Sequence, residues 1–247
     1  MRKIAVALSK GGVGKTTTAV NLAAGLAGVG RRVLLIDLDT QDQVAKTLGV
    51  RPTAGIAELV AGEQSADEIL FPTRENLTLL AGGASLAGLK RLIARQDFGG
   101  ERTLSEALGQ FDGRFDYVVI DTAPGWDALA INALFYADEI LTPVALEVLA
   151  LQGLLEFTRS VQTIQQYHEN LRLRYVLPTF MDRRVKKSDE ILQQLENYFG
   201  ESVCAPIRYN VRLSEAPGYG QTIFEFARRS PGAADYLALT ERIVEDE

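Results

Sequence analysis

Short apolar runs recur along this chain, most of them followed by a stretch with helical spacing. Lys3-Ile-Ala-Val-Ala-Leu8 is the first such run, and Thr18–Leu26 behind it is apolar at helical intervals. Arg32–Asp37, Asn76–Ala81, Phe115–Asp121, Asp138–Ala145 and Leu173–Phe180 repeat the run. Runs of Val, Ile and Leu without polar alternation suit parallel strands covered on both faces. Leu86–Arg95, Thr103–Phe111 and Leu149–Tyr167 read as helices, the last with apolar residues at 151, 154, 155, 157, 161 and 164. Ser65 and Glu68 have capping-box spacing. Pro143 is expected to stop its strand, because a central ladder does not accept proline in its middle. Strand–helix alternation predicts an α/β fold: one doubly wound, mostly parallel sheet with helices on both faces, forming a single domain over residues 1–247.

Composition narrows the chemistry. Hydrophobic residues make up 47% of 247 positions and charged residues 23%, which suits a globular protein with a sizeable core. The net charge of −6 means that any contact with nucleic acid needs a local basic patch. A single cysteine, Cys204, excludes an intramolecular disulfide and a chain-internal iron–sulfur or thiolate zinc site. The one histidine, His168, stands at a predicted helix end, where a surface or capping role fits and no Ser/His/Asp arrangement forms around it. No run reaches the length of a membrane span, and the first strand begins without a signal-peptide pattern. The expectation is a cytoplasmic protein with no N-terminal helix-turn-helix extension. The acidic end of the last helix disfavours a membrane-surface anchor.

The chemistry begins at Ser9-Lys10-Gly11-Gly12-Val13-Gly14-Lys15-Thr16-Thr17, between the first strand and the first helix. This is the context of a phosphate-binding loop: glycines curl the backbone so that N–H groups point inward, and the helix N-terminus adds partial positive charge. Lys15 is placed to reach the β- and γ-phosphates of a nucleotide, and the Thr16 hydroxyl to ligate Mg²⁺. Gly11 to Thr17 form the expected nucleotide cradle. Phe115–Asp121 followed by Thr-Ala-Pro-Gly125 looks like a Walker B segment, with Asp121 holding Mg²⁺ through water and the backbone at Gly125 sensing the γ-phosphate. Asp37 and Asp39 stand at a strand's carboxyl end, where open α/β sheets bind ligands. Alternation places both side chains toward one side, and helix capping is the structural alternative for one of them.

Lys10, before the first glycine, is superfluous to an ordinary phosphate loop. With it the chain resembles the deviant Walker A ATPases, a family that includes the ParA/Soj partition proteins and MinD. The resemblance covers essentially the whole chain and is sharpest at Lys10–Thr17, Asp37–Gln41, Asp121–Gly125 and Asn210–Gly220. It implies that Lys10 crosses an ATP-bridged homodimer to the partner's phosphates, that Asp39 orients or activates the attacking water, and that Asp37 helps hold the magnesium–lysine network. Thr40 stands where the family usually has proline. The basic residues Arg172, Arg174, Arg183, Arg184, Lys186 and Lys187 lie close in sequence, with Arg208, Arg212, Arg228 and Arg229 later. In Soj-type proteins, arginines matching Arg184 and Arg212 contribute to nonspecific DNA binding, whereas a solvated face is the general alternative for any one arginine. The resemblance implies a weak Mg²⁺-dependent ATPase, stimulated by a ParB-like partner, that acts on the nucleoid in chromosome or plasmid partition. Alternatives are a positioning ATPase for another cargo or a regulatory ATPase that does not bind DNA.

Overall fold

The computed structural model describes residues 1–182 and 184–247. Its elements in chain order are β1 (Arg2–Val6), α1 (Lys15–Gly28), β2 (Val33–Leu38), α2 (Gln43–Leu48), α3 (Ile56–Val60), α4 (Ala66–Ile69), β3 (Leu70–Arg74), β4 (Leu77–Leu80) and α5 (Leu86–Ala94). There follow α6 (Thr103–Leu108), β5 (Tyr117–Thr122), α7 (Ala128–Tyr136), β6 (Glu139–Ala145), α8 (Ala150–Gln165), β7 (Arg172–Thr179), α9 (Lys186–Phe199), α10 (Val211–Glu215), α11 (Ile223–Phe226) and α12 (Pro231–Glu245).

The strands form one sheet in the order β3-β4-β2-β5-β1-β6-β7, parallel throughout except for β3, which pairs antiparallel with β4 at the edge. Burial on both faces explains the unalternated apolar runs. In β2, Val33 and Leu35 pack with Leu22, Leu26, Tyr236 and Ile243 of α1 and α12. Leu34 and Ile36 face the other way, into the core of α5, α7 and α8. Each fully buried Leu or Ile contributes about 1.5–3 kcal/mol through removal of apolar surface from water.

Two local features depart from the sequence expectation. β6 runs unbroken through Pro143, which pairs with Leu177 in β7. Leu141 turns its carbonyl toward the β1 side, where it accepts the Ala7 N–H at 3.1 Å. Pro143, two residues on, faces the same side, but β1 has already ended there and become the glycine loop. The missing N–H therefore falls at the end of that pairing, after its last bond, rather than in the middle of a ladder. β3 was not evident in the pattern because it is a half-exposed edge strand containing Pro72, with a register shift between Pro72 and Arg74.

This topology brings the ends of three strands together. β5 lies between β1 and β2, and the register sets Val6 beside Asp121 and Asp121 beside Asp37. The glycine loop after β1, the Asp39 loop after β2 and the Gly125 loop after β5 consequently open onto one cleft.

Candidate nucleotide site

Gly12 and Gly14 have φ of 73° and 91°, in the left-handed region that side chains strain to enter. Gly14 caps α1 with no side-chain bond of its own, and Thr18 is the first residue whose N–H closes a helical turn onto it, at 2.9 Å. The N–H groups ahead of Thr18 have no intrahelical acceptor, so the loop presents donors to an anion at a helix N-terminus. Val13 is buried and its carbonyl accepts the Thr179 hydroxyl at 3.0 Å, which ties the loop to the end of β7. Gly11 lies against Pro124, and the Gly125 N–H donates to the Ser9 carbonyl at 3.0 Å.

The two lysines of the loop part company. Lys15 is buried and its ammonium donates to the Lys10 carbonyl at 2.8 Å. Burial lowers its pKa, opposed by the charges of Asp121 and Asp39. The Lys10 side chain leaves the cradle and pairs with Glu147, beyond the end of β6, at 2.8 Å; both side chains are about half exposed (49% and 61%).

The three aspartates differ as sharply. Asp121 is fully buried and neither carboxylate oxygen has a hydrogen-bond partner. Burial and then the charge of Asp37 raise its pKa well above the usual range. The Thr16 hydroxyl and Lys15 ammonium lie near enough to oppose that rise, although Thr16 does not reach hydrogen-bond geometry. Asp37 is equally buried, but its oxygens accept the N–H groups of Asp39 at 2.9 Å and Val44 at 3.1 Å. It braces the turn into α2, and burial pushes its pKa up to about 7 against those two bonds. Asp39 is half-buried, accepts the Gln41 N–H at 3.0 Å, and lines the cleft. The two carboxylates expected to point to one side thus divide, with Asp37 turned to its own backbone and Asp39 to the cleft.

An orphaned, buried carboxylate beside a threonine hydroxyl at a phosphate loop is a hard-oxygen donor set, and it fits Mg²⁺. Among the described residues no cluster of three or more acids, histidines or cysteines forms a cage. That agrees with Mg²⁺ sites in general, which share the ion with phosphates and water.

The cleft holds about 450 Å³. Gly12, Lys15 and Thr16 line one end; Phe180, Tyr209, Asn210 and Leu213 line the other. Phe180 has a φ of 57° and is 43% exposed, a strained placement for an aromatic residue at the mouth of a pocket. Nothing in the sequence singled out Phe180 or Tyr209 for this cleft. Asn210 caps α10 by accepting the Arg212 N–H at 2.9 Å.

The basic cluster does not survive folding as one patch. Arg174, near the start of β7, pairs with Glu139 and Asp246 at the opposite end of the sheet from the nucleotide cleft. Arg208 is chelated by Asp235 at 2.6 Å. Arg184 and Arg212 are exposed, each bonded to a nearby acid: Asp182 at 2.7 Å and Glu215 at 2.8 Å. Arg183 lies outside the described residues. No helix is long and apolar enough to cross a membrane among the described residues.

Comparison with known proteins agrees with this geometry. A family profile described as an AAA domain matches residues 1–174. The chain is 39% identical over 246 residues to the chromosome-partitioning ATPase Soj of Thermus thermophilus, covering 99% of this chain and 96% of that protein. It is 37% identical over 251 residues to the sporulation initiation inhibitor protein Soj of Bacillus subtilis, covering 97% of each. A crystal structure of cobyrinic acid a,c-diamide synthase from Mycobacterium smegmatis, with bound ADP and magnesium, superposes with a TM-score of 0.85 at 32% identity, over 99% of this chain and 94% of that one. A glycine loop with two lysines, an aspartate pair at adjacent strand ends and similarity along nearly the whole length lead to one conclusion: the chain belongs to the ParA/Soj/MinD family of deviant Walker A ATPases.

Proposed function

We propose that this protein is an ATP-dependent dimerisation switch that binds DNA nonspecifically and drives chromosome or plasmid partition with a ParB-like partner. The observation that carries the proposal is the division of labour between the lysines. Lys15 fills the interior of the loop by bonding to the Lys10 carbonyl, so the Lys10 side chain has no place there and projects outward. A half-exposed cation on the rim of a phosphate site would reach the nucleotide of a second copy.

Within one subunit, the Gly11–Thr17 loop and its N–H groups hold the phosphates, and Lys15 neutralises their charge. Thr16 and Asp121 would hold Mg²⁺, with Asp37 beside them bracing the Asp39 loop; the ion supplies further neutralisation of phosphate charge when bound. Asp39, which lines the cleft, would orient the attacking water, and the Gly125 N–H, now donating to Ser9, would answer the terminal phosphate. Positioning and electrostatics carry such a reaction, because the protein has little covalent chemistry to perform. Arg184 and Arg212 would contact DNA phosphates in the closed dimer, where two sets of cations together release more counterions than one. The nucleoid is the corresponding location in the cell.

Lys10→Ala tests this directly. The variant is expected to bind ATP but remain a monomer in ATP during sedimentation, and to lose hydrolysis. A variant that dimerises and turns over ATP like the wild type would refute the trans role of Lys10.

A further inference from the structure

The loop between β5 and α7 touches the phosphate loop on one side, through Gly125 N–H to Ser9 and Pro124 against Gly11. On its far side it is held by something the family resemblance does not supply. Asp127 caps α7, its Oδ1 accepting the Ala130 N–H at 2.9 Å. Its Oδ2 meets the Lys90 ammonium of α5 at 2.5 Å, with the two side chains only 27% and 33% exposed. Between these anchors, Trp126 stacks on Phe157 of α8 with ring centroids 5.2 Å apart.

α5 itself is seated on the Asp39 loop. The Gly83 N–H just before it donates to the Asp39 carbonyl at 3.2 Å, and a Cβ at Gly82 would come within 2.5 Å of the Asp37 carbonyl. The three loops are therefore linked in a chain: Ser9 to Gly125, Asp127 to Lys90, and α5 through Gly83 to Asp39. The Lys90–Asp127 pair is the ionic link in that chain. We propose that Lys90 is a positioning residue which, through Asp127, fixes the Gly125 loop relative to the Asp39 loop and so sets the geometry of hydrolysis. This rests on the ATP-switch function proposed above. An ion pair this accessible is partly screened by salt, so the device is adjustable rather than rigid.

Trp126 is the only tryptophan, and it reports on this loop without nucleotide. Lys90→Met removes the charge, Lys90→Arg keeps it, and Asp127→Asn keeps a capping oxygen while discarding the ion pair. In nucleotide-free K90M and D127N, Trp126 emission should shift to the red and its quenching by acrylamide should rise. With Mg-ATP, kcat should fall about fivefold or more while KM for ATP stays within about twofold, the signature of an interaction made in the transition state. K90R should restore both readouts. Unchanged Trp126 quenching in K90M, an unchanged kcat, or a K90R as impaired as K90M would each overturn the proposal. A wild-type protein that neither binds nor hydrolyses ATP would overturn the parent function instead. The two failures are distinguishable because Trp126 quenching is read before any nucleotide is added.

Discussion

Asp121 is the residue on which the energetics of the site turn. It is held ready in the interior with both oxygens unpartnered, beside a second buried carboxylate. Burying an unpaired carboxylate is destabilising unless a cation or a proton relieves it. Asp121→Asn should therefore raise the stability of the nucleotide-free protein at neutral pH, by on the order of 1–3 kcal/mol, while abolishing Mg²⁺-dependent stabilisation by ATP. Denaturant midpoints with and without Mg-ATP measure both effects. The pH dependence has a definite sign. Asp37 titrates near 7 when folded against 3.8 ordinarily, so the folded state holds a proton that the unfolded state has already lost. Its contribution makes the nucleotide-free protein less stable as pH rises from about 4 to 7, and Asp121 acts in the same direction. Asp39→Ala, by contrast, removes a cleft-facing side chain without emptying the interior. It should lower hydrolysis and accumulate the ATP dimer, which single-turnover rates and sedimentation in ATP would reveal. Residue chemistry was legible in sequence where backbone need dictates residue type, as at Gly12 and Gly14. The capping alternative offered for one of the two aspartates falls to Asp37, which accepts an N–H in α2. Lys90 and Asp127 were not legible, because they lie far apart in sequence and meet only in the fold.

At the scale of elements, close approach sets the tolerances. Gly25 lies within α1, where alanine normally gains about 1 kcal/mol over glycine. Here a Cβ would stand 2.2 Å from the Thr240 hydroxyl of α12, which is itself bonded to the Tyr236 carbonyl. Gly25→Ala should consequently destabilise the protein by about 1–3 kcal/mol, and Thr240→Ala in the same chain should recover part of the loss; thermal melts of the four variants give the coupling. The main elements were legible because burial on both faces leaves an unmistakable apolar run. Pro143 misled because whether a proline harms a strand depends on which neighbour its missing N–H would have met, and β1 ends just short of it. β3 was hidden because an edge strand need not be apolar.

For the whole molecule, charge distribution bears on the proposed contact with DNA. Sequence proximity suggested one basic cluster, but roughly 20 Å of β7 separates its first arginines from Arg184. Arg184 and Arg212 are engaged by Asp182 and Glu215, so in the proposed complex a phosphate would have to displace a carboxylate at each. Glu215→Gln should free Arg212 and tighten ATP-dependent DNA binding about two- to fivefold, the range of an exposed ion pair, while Arg212→Ala weakens it. The central claim, that ATP closes a dimer competent for DNA, is tested most directly by binding to a nonspecific duplex with ATP, with ADP and without nucleotide, at two salt concentrations. The account predicts binding with ATP alone, weakening steeply as salt rises. Equal binding in all three nucleotide states, or none in any, would contradict it.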